Sequence, residues 1–500
     1  MVDYIVVGAG SAGCVLANRL TERQTSVLLL EAGGEDTRPE IHTPSTWPLL
    51  WMTEVDWGYS TREQPHLHDR IIYVPRGKVL GGSSSLNAMM YVRGSAYDYD
   101  RWAALGNEGW SYAEVLPYFK KSEHQERGAS EYHGVGGLLN VADLPDPHPL
   151  CRALVAGAQE IGIRANDDFN GARQEGVGVG QVNMIGGKRC SAAVAFLRPA
   201  LTRPNLTVET GAHVTRLLLE GKRAVGVAYT RDGEAHEIRA EKEVILCGGA
   251  INSPQVLMLS GIGAAGHLRE HGIPVVIDLP GVGQNLQDHL DVSIEYNSTL
   301  VGVMPETSNY AEGNGFLKTT PDLSAPDLQL IFVVTPSLTG SATLTYAVYV
   351  ILLQPESRGT IRLASSDPLV APLIDPNYLS AEADVETLVE GFKIARRIGE
   401  ASALDDVRSM EIAPGAWLQS EGAIRAFIRE RATTLFHPVG TCKMGVDALS
   451  VVNERLQVYG VEGLRVVDGS VMPTITSGNT NAPIIMIAEK AADMIKEDAV

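Results

Sequence analysis

A mixed α/β and α+β fold is the class that this 500-residue sequence predicts, and three observations predict it. A strand, a glycine-rich turn, a helix and a second strand open the chain. Alternating apolar runs in the second half form a further sheet that does not belong to that first unit. The length also exceeds what one hydrophobic core usually supports, so two domains are expected.

The first unit begins with the apolar run YIVV at 4–7, followed by GAGSAG at 8–13, the helical segment CVLANRL and the strand SVLLLEAG at 26–33. Gly8, Gly10 and Gly13 fit the pattern G-x-G-x-x-G. Missing side chains at those positions allow a tight turn, close approach to a pyrophosphate and close helix packing. The N-terminus of the following helix offers N–H donors and a positive dipole to phosphates. Glu31 ends the second strand about 18 residues past Gly13, where a carboxylate accepts hydrogen bonds from ribose hydroxyls. These features specify a dinucleotide site and leave NAD and FAD both open.

Further along, PRGKVLGGSSSLNAMMYVRG at 75–94 gathers glycines, small hydroxyls and Asn87 into one loop, suited to bringing backbone N–H groups to a polar ligand. The segment 245–263, ILCGGAINSPQVLMLSGIG, reads as a strand, a Gly-Gly turn and a helix that approaches the same ligand. Pro/Gly-rich punctuation at 143–149 and 280–283 marks candidate crossings between domains. The polar, glycine-containing stretch 297–319 reads as a loop or lid. Runs at 328–334, 347–353 and 359–363 read as strands of the second sheet. Apolar residues at 385, 388, 389, 392, 395 and 398 repeat at a helical period, with Ser380 as the expected N-cap of a helix backing that sheet. Near the end, LRVVDGSVMP at 464–473 is a strand closing on Asp468. TSGNTNAPIIMIAEKAADMI at 476–495 then leads through Asn481 into a helix, with Pro483 in its first turn.

Composition removes several classes. Sixty acidic residues against 41 basic give a net charge of -19, which argues against a nucleic-acid partner. The five cysteines, at 14, 151, 190, 247 and 442, form no CxxC pair and no zinc-ligand cluster, so no metal site is expected and reduced thiols are. No uninterrupted apolar stretch reaches the roughly 18–20 residues of a membrane span. The chain enters a strand at once, with no basic, cleavable leader before it. A cytoplasmic protein with at most peripheral membrane contact is expected.

One histidine stands out. His437, in LFHPVGTCKMG at 435–445, lies between apolar residues and a glycine turn. Taken alone it reads as a core histidine, because partial burial is ordinary for that residue. Asn481, taken alone, reads as a helix cap.

Taken together, the motifs change both readings. The two long glycine motifs, GKRCSAAVAFLRP (187–199), PGVGQNLQDH (280–289), FHPVGTCKMG (436–445) and DGSVMPTITSGNTNAP (468–483) resemble the glucose–methanol–choline oxidoreductase family, in particular its bacterial choline-dehydrogenase-like branch. The matches run from residue 4 to the C-terminal helix. The resemblance implies a Rossmann-like FAD-binding domain in three segments, 1–150, 187–290 and 436–500. A substrate domain interleaves with it in two segments, 151–186 and 291–435, built on a mostly antiparallel sheet backed by helices. The dinucleotide is then FAD, with Gly8, Gly10, Ser11, Gly13, Glu31 and Ala32 on its ADP half. Gly82, Ser83, Asn87 and Met90 are implied beside the flavin or pyrophosphate, Val214 near the adenine, and Asp468 and Gly469 at the phosphate–ribityl region. Family members with covalently bound flavin carry a histidine where this sequence has Leu86, so the FAD is expected to be held non-covalently.

The resemblance also implies the reaction, oxidation of a primary alcohol, aliphatic or aryl, to an aldehyde. His437 is the implied base and Asn481 the implied hydrogen-bond donor to the developing alkoxide. Electrons pass on to a quinone, a dye or O2. A dehydrogenase is favoured over an oxidase, because no cation other than a protonated His437 is evident near the flavin. Alternatives on the same scaffold are an oxidase of aryl or furanic alcohols, a hydroxynitrile lyase and a non-catalytic flavoprotein. A photodecarboxylase is set aside because residues 291–441 contain no cysteine. Choline itself needs an aromatic or anionic box that the sequence does not assign within 297–350. Phe436, next to the histidine, favours an apolar or aromatic wall instead.

Overall fold

The computed structural model describes residues 1–337 and 343–499. Two sheets organise it. In the first, β1 (Val2–Val7) pairs in parallel with β2 (Val27–Leu30), Val7 opposite Leu30. On its other side β1 pairs in parallel with the strand Glu234–Leu246, and that strand with Leu464–Val466; Leu206–Glu209 flanks β2. All four residues of β2 are buried, as expected of a parallel strand covered on both faces. The front half of Glu234–Leu246 turns away into an antiparallel meander with Arg223–Arg231 and His213–Glu220. Helix α1 (Ser11–Leu20) packs against the C-terminal helix Asn481–Asp498, and a bidentate Arg19–Glu489 pair locks the two.

This topology positions the site. Val7, Leu30, Leu246 and Val466 are the C-terminal residues of neighbouring parallel strands. Chain segments leaving them (Gly8, Glu31, Gly248 and Asp468) therefore converge on one sheet edge, where α/β sheets bind ligands.

The second sheet is antiparallel throughout. Its strands run in the order Arg408–Ala413, Leu290–Val301, Thr343–Leu352, Leu328–Pro336, Ala311–Leu317 and Gly176–Val179, with Thr433–Thr434 paired beside Leu290. Side chains alternate faces with period two. Leu328, Leu330, Phe332 and Val334 pack with Leu154 and Leu388 of the helices Pro149–Glu160 and Glu382–Gly399. Ile331, Val333, Tyr349 and Ile351 occupy the opposite face, with Met90 and Val92 of the loop 75–94. The mixed fold class expected from the sequence is the one observed, with the strands of the two sheets interleaved along the chain. Leu67 and Ile72 pack in the core of the second sheet although they precede it by a hundred residues.

Three local expectations need correction. The stretch 297–319 is mostly strand: Leu290–Val301 extends into it and Ala311–Leu317 fills its end. Gly313 there serves packing, since a Cβ on it would lie 2.7 Å from the Phe332 ring. Residues 359–363 do not join the second sheet; Thr360–Arg362 pairs with Leu373–Asp375 alone. The N-cap of the helix Glu382–Gly399 is Ala381, not Ser380, and the acidic first turn (Glu382, Asp384) faces the helix dipole instead. Among the described residues all five cysteines are free and buried, no metal-ligand cluster occurs, and no helix is long and apolar enough to cross a membrane.

Candidate active site

At the C-terminal edge of the parallel strands lies a cleft partly open to solvent. Gly8, Gly10, Ser11, Glu31, Ala32, Gly82, Ser83, Val214, Asp468 and Gly469 all line it. Its shape comes from two glycine turns in backbone contact. A Cβ on Gly82, whose φ is +52°, would lie 2.7 Å from the Cα of Gly10. Gly13 lies behind the cleft and serves helix packing, since a Cβ there would fall 1.9 Å from the carbonyl oxygen of Gly8. The N-cap of α1 is Gly10 and no side chain caps the helix, so its first-turn N–H groups are left for an anionic ligand.

The carboxylates of the cleft are anchored by main chain. Glu31 accepts hydrogen bonds from the N–H of Ala9 and of Gly33, each at 2.8 Å, with one oxygen for each. Each oxygen retains acceptor capacity toward the cleft. Burial pushes its pKa up to about 7, against the pull of those two N–H groups. Asp468 accepts from Ser470 N, Gly249 N and the Ser253 hydroxyl, tying its strand end to the start of the helix Gly249–Leu259. These residues fit an FAD. The uncapped helix end suits the pyrophosphate, Glu31 the ribose hydroxyls, and the Gly10–Gly82 contact leaves a groove that any side chain would fill.

Asn87 and Met90 do not line this cleft. The Asn87 amide oxygen turns back onto its own loop, accepting from Met89 N and from the Arg189 guanidinium. Met90 is buried with Val92, Phe169 and Phe316. Leu86 is likewise buried, among Ile41, Leu50, Val55 and Val79.

His437 sits beside the cleft, with the next residue, Pro438, in its wall. Its backbone N–H donates to Asp288 at 2.7 Å. The same carboxylate accepts from the hydroxyls of Tyr378 and Thr434, each at 2.5 Å, and Thr434 Oγ1 in turn accepts from Phe436 N. This network holds Phe436 at a φ of +68°, a left-handed conformation rare for a bulky residue. The Phe436 carbonyl accepts from Arg76 at 2.7 Å, and Arg76 also donates to the Ser83 hydroxyl at 2.6 Å. Arg76 lines the cleft, so a cation besides His437 does stand at this site, contrary to the sequence expectation. Burial, His289 and Arg76 together hold the His437 pKa well below the usual histidine range.

The polar neighbours of the imidazole are His289 and Asn479. The Nδ1 atoms of His437 and His289 are 2.9 Å apart, and Asn479 Nδ2 lies 3.3 Å from His437 Nε2. Asn481 is not beside His437. It is the first residue of the C-terminal helix, after the N-cap Thr480, and its amide oxygen accepts from the Ser11 hydroxyl at 2.7 Å. The helix start therefore aims Asn481 at α1 and leaves Asn479, one residue before the cap, at the imidazole. Sequence reasoning missed Asn479, His289 and Arg76, although each lies inside a motif already singled out. Trp51 meets Phe436 edge-on at 5.3 Å and Trp47 at 5.1 Å, an aromatic cluster that adjoins His437 in the chain through Phe436.

Comparison with known proteins gives a consistent result. Two models described as GMC oxidoreductase match residues 2–291 and 355–488. The chain is 46% identical over 527 aligned positions to an alcohol dehydrogenase [acceptor] of Pseudomonas putida, covering 99% of this chain and 96% of that one. It is also 46% identical to the mitochondrial choline dehydrogenase of Homo sapiens, covering 99% and 89%. The crystal structure of pyridoxine 4-oxidase from Mesorbium loti superposes with a TM-score of 0.94 at 33% identity, covering 99% of both chains.

Proposed function

The chain belongs to the glucose–methanol–choline (GMC) oxidoreductases, and from that premise we propose that it oxidises a primary alcohol, aliphatic or aryl, with His437 as base and Asn479 as alkoxide donor. It is an FAD-dependent oxidoreductase acting on CH–OH donors. FAD, when bound, supplies the acceptor for the hydride that leaves the carbinol carbon. The chain must handle the hydroxyl proton and the charge on oxygen.

The observation that carries this reading is the His437–Asn479 pair beside the dinucleotide cleft. A hydroxyl pKa near 16 and an imidazole pKa near 6.5 differ by about 9 units, roughly 12 kcal/mol, so free alkoxide does not accumulate. The base must take the proton as the C–H bond breaks. A neutral imidazole is needed for that, and the desolvated surroundings of His437 keep it neutral. The Asn479 amide, 3.3 Å from Nε2, donates to a substrate oxygen that lies within hydrogen-bond reach of both side chains as charge develops there. Asn481, to which the resemblance gives this role, accepts instead from the Ser11 hydroxyl.

The aromatic wall of Trp47, Trp51 and Phe436 favours an apolar or aryl group on the carbinol carbon. Quinones or dyes are the proposed acceptors, the Pseudomonas putida relative being named for an unspecified acceptor; Arg76 removes the sequence argument against O2. The test is an anaerobic screen of choline, benzylic, furanic and alkyl primary alcohols against the FAD-loaded protein. Bleaching of the flavin band with equimolar aldehyde supports the reading. A flavin left oxidised by every alcohol, or a cyanohydrin cleaved without bleaching, overturns it.

A further inference from the structure

We propose that His289 is a positioning residue that holds His437 in its Nδ1–H form, so that the lone pair of Nε2 is presented to the substrate hydroxyl. This rests on the reading of His437 as the base, and it names the group that prepares it.

The argument follows the donors. His289 is fully buried, and its Nε2 lies 3.2 Å from the main-chain carbonyl of Leu353. A carbonyl can only accept, so Nε2 of His289 carries the proton. Burial drives the pKa of this ring down to about 3, against the favourable main-chain groups of Leu353 and Thr476, so it is neutral and holds one proton only. Its Nδ1 is therefore a bare acceptor. The 2.9 Å contact between the two Nδ1 atoms then requires His437 Nδ1 to be the donor. A neutral His437 with its proton on Nδ1 has a lone pair on Nε2, and that atom meets the Asn479 amide nitrogen, itself a donor. Each contact along Leu353, His289, His437 and Asn479 is satisfied by one assignment of protons.

The other charged groups around His437 do not replace His289. The Asp288 carboxylate is engaged by the His437 backbone, Tyr378 and Thr434, and Arg76 is a donor. Asp291, two residues after His289 in the chain, is buried, and burial followed by the nearby Asp288 raises its pKa well above the carboxylate range. The ring is thus oriented by a neutral acceptor. A carboxylate at that position would raise the proton affinity of His437; a neutral imidazole fixes the tautomer without doing so.

The experiment uses holoenzyme labelled with 15N-histidine, in which two-bond 1H–15N correlations distinguish the tautomers. The His437 signals are assigned by their loss in His437→Ala. The expected wild-type spectrum has a protonated Nδ1 and a bare Nε2 at pH 7.5; a protonated Nε2 overturns the proposal, whatever the fate of any variant. His289→Leu should shift His437 to mixed tautomers and slow anaerobic flavin reduction about 10²-fold at saturating alcohol, with little change in substrate affinity. His289→Gln, whose amide can accept from His437 and donate to Leu353, should restore the Nδ1–H form and most of the rate. Wild-type reduction by FAD-replete His289→Leu, or no recovery in a folded His289→Gln, also overturns it. Should His437→Ala reduce flavin normally, the reading of His437 as base falls, while the tautomer measurement still decides the role of His289.

Discussion

Two asparagines two residues apart provide the sharpest perturbation, because the structure gives them unrelated partners. Asn479 Nδ2 is 3.3 Å from His437 Nε2, whereas Asn481 Oδ1 is 2.7 Å from the Ser11 hydroxyl. Asn479→Ala removes a donor aimed at developing negative charge, a loss that costs about 2.7–4 kcal/mol in oxyanion sites and corresponds to roughly 10²–10³-fold in rate. Asn481→Ala removes a hydrogen bond between neutral groups at the α1–C-terminal helix junction, with a net cost of about 0.5–1.5 kcal/mol. That cost falls on stability and FAD affinity, and slows reduction less than about tenfold. The assay is anaerobic stopped-flow reduction at saturating alcohol, with FAD content measured for each variant. The reasoning is refuted if Asn481→Ala, FAD-replete, loses more rate than Asn479→Ala.

The remaining predictions concern the cofactor and the pH profile. Acid precipitation should release intact FAD and leave a colourless pellet, because Leu86 has no nucleophile and is buried among aliphatic side chains; a yellow washed pellet contradicts this. Gly82→Ala should yield folded protein with little FAD, read as a fall in the 450/280 nm absorbance ratio, since its Cβ would be driven into Gly10. The His437 pKa is depressed, so the base is neutral at and above pH 6.5 and gains a proton only below it. Flavin reduction should therefore be flat from about pH 6.5 to 9 and fall on the acid side; an ascending limb centred above pH 7.5 contradicts that direction.

Much of the cofactor site was legible because its signals are local. Gly8, Gly10, Gly13 and Glu31 lie within one βαβ unit, where spacing alone dictates which backbone turns and which acid meets them. The catalytic neighbourhood is not local. His289 and His437 are 148 residues apart and meet through pairing of Leu290 with Thr434, which no periodicity announces. That Asn479 and not Asn481 meets the imidazole depends on where one helix begins, and boundaries are the least readable feature of a sequence. The strand Ala311–Leu317 was hidden by its glycines, which read as loop until the Phe332 ring packed over Gly313 explains them.

The central claim is that His437 accepts the hydroxyl proton. It is tested most directly by His437→Ala in anaerobic stopped-flow at saturating alcohol, alongside the FAD content of the same sample. Loss of a general base costs about 10²–10⁴-fold, so the variant should bind FAD stoichiometrically and reduce it slower by that factor. Reduction of a fully loaded His437→Ala at close to the wild-type rate would contradict the account.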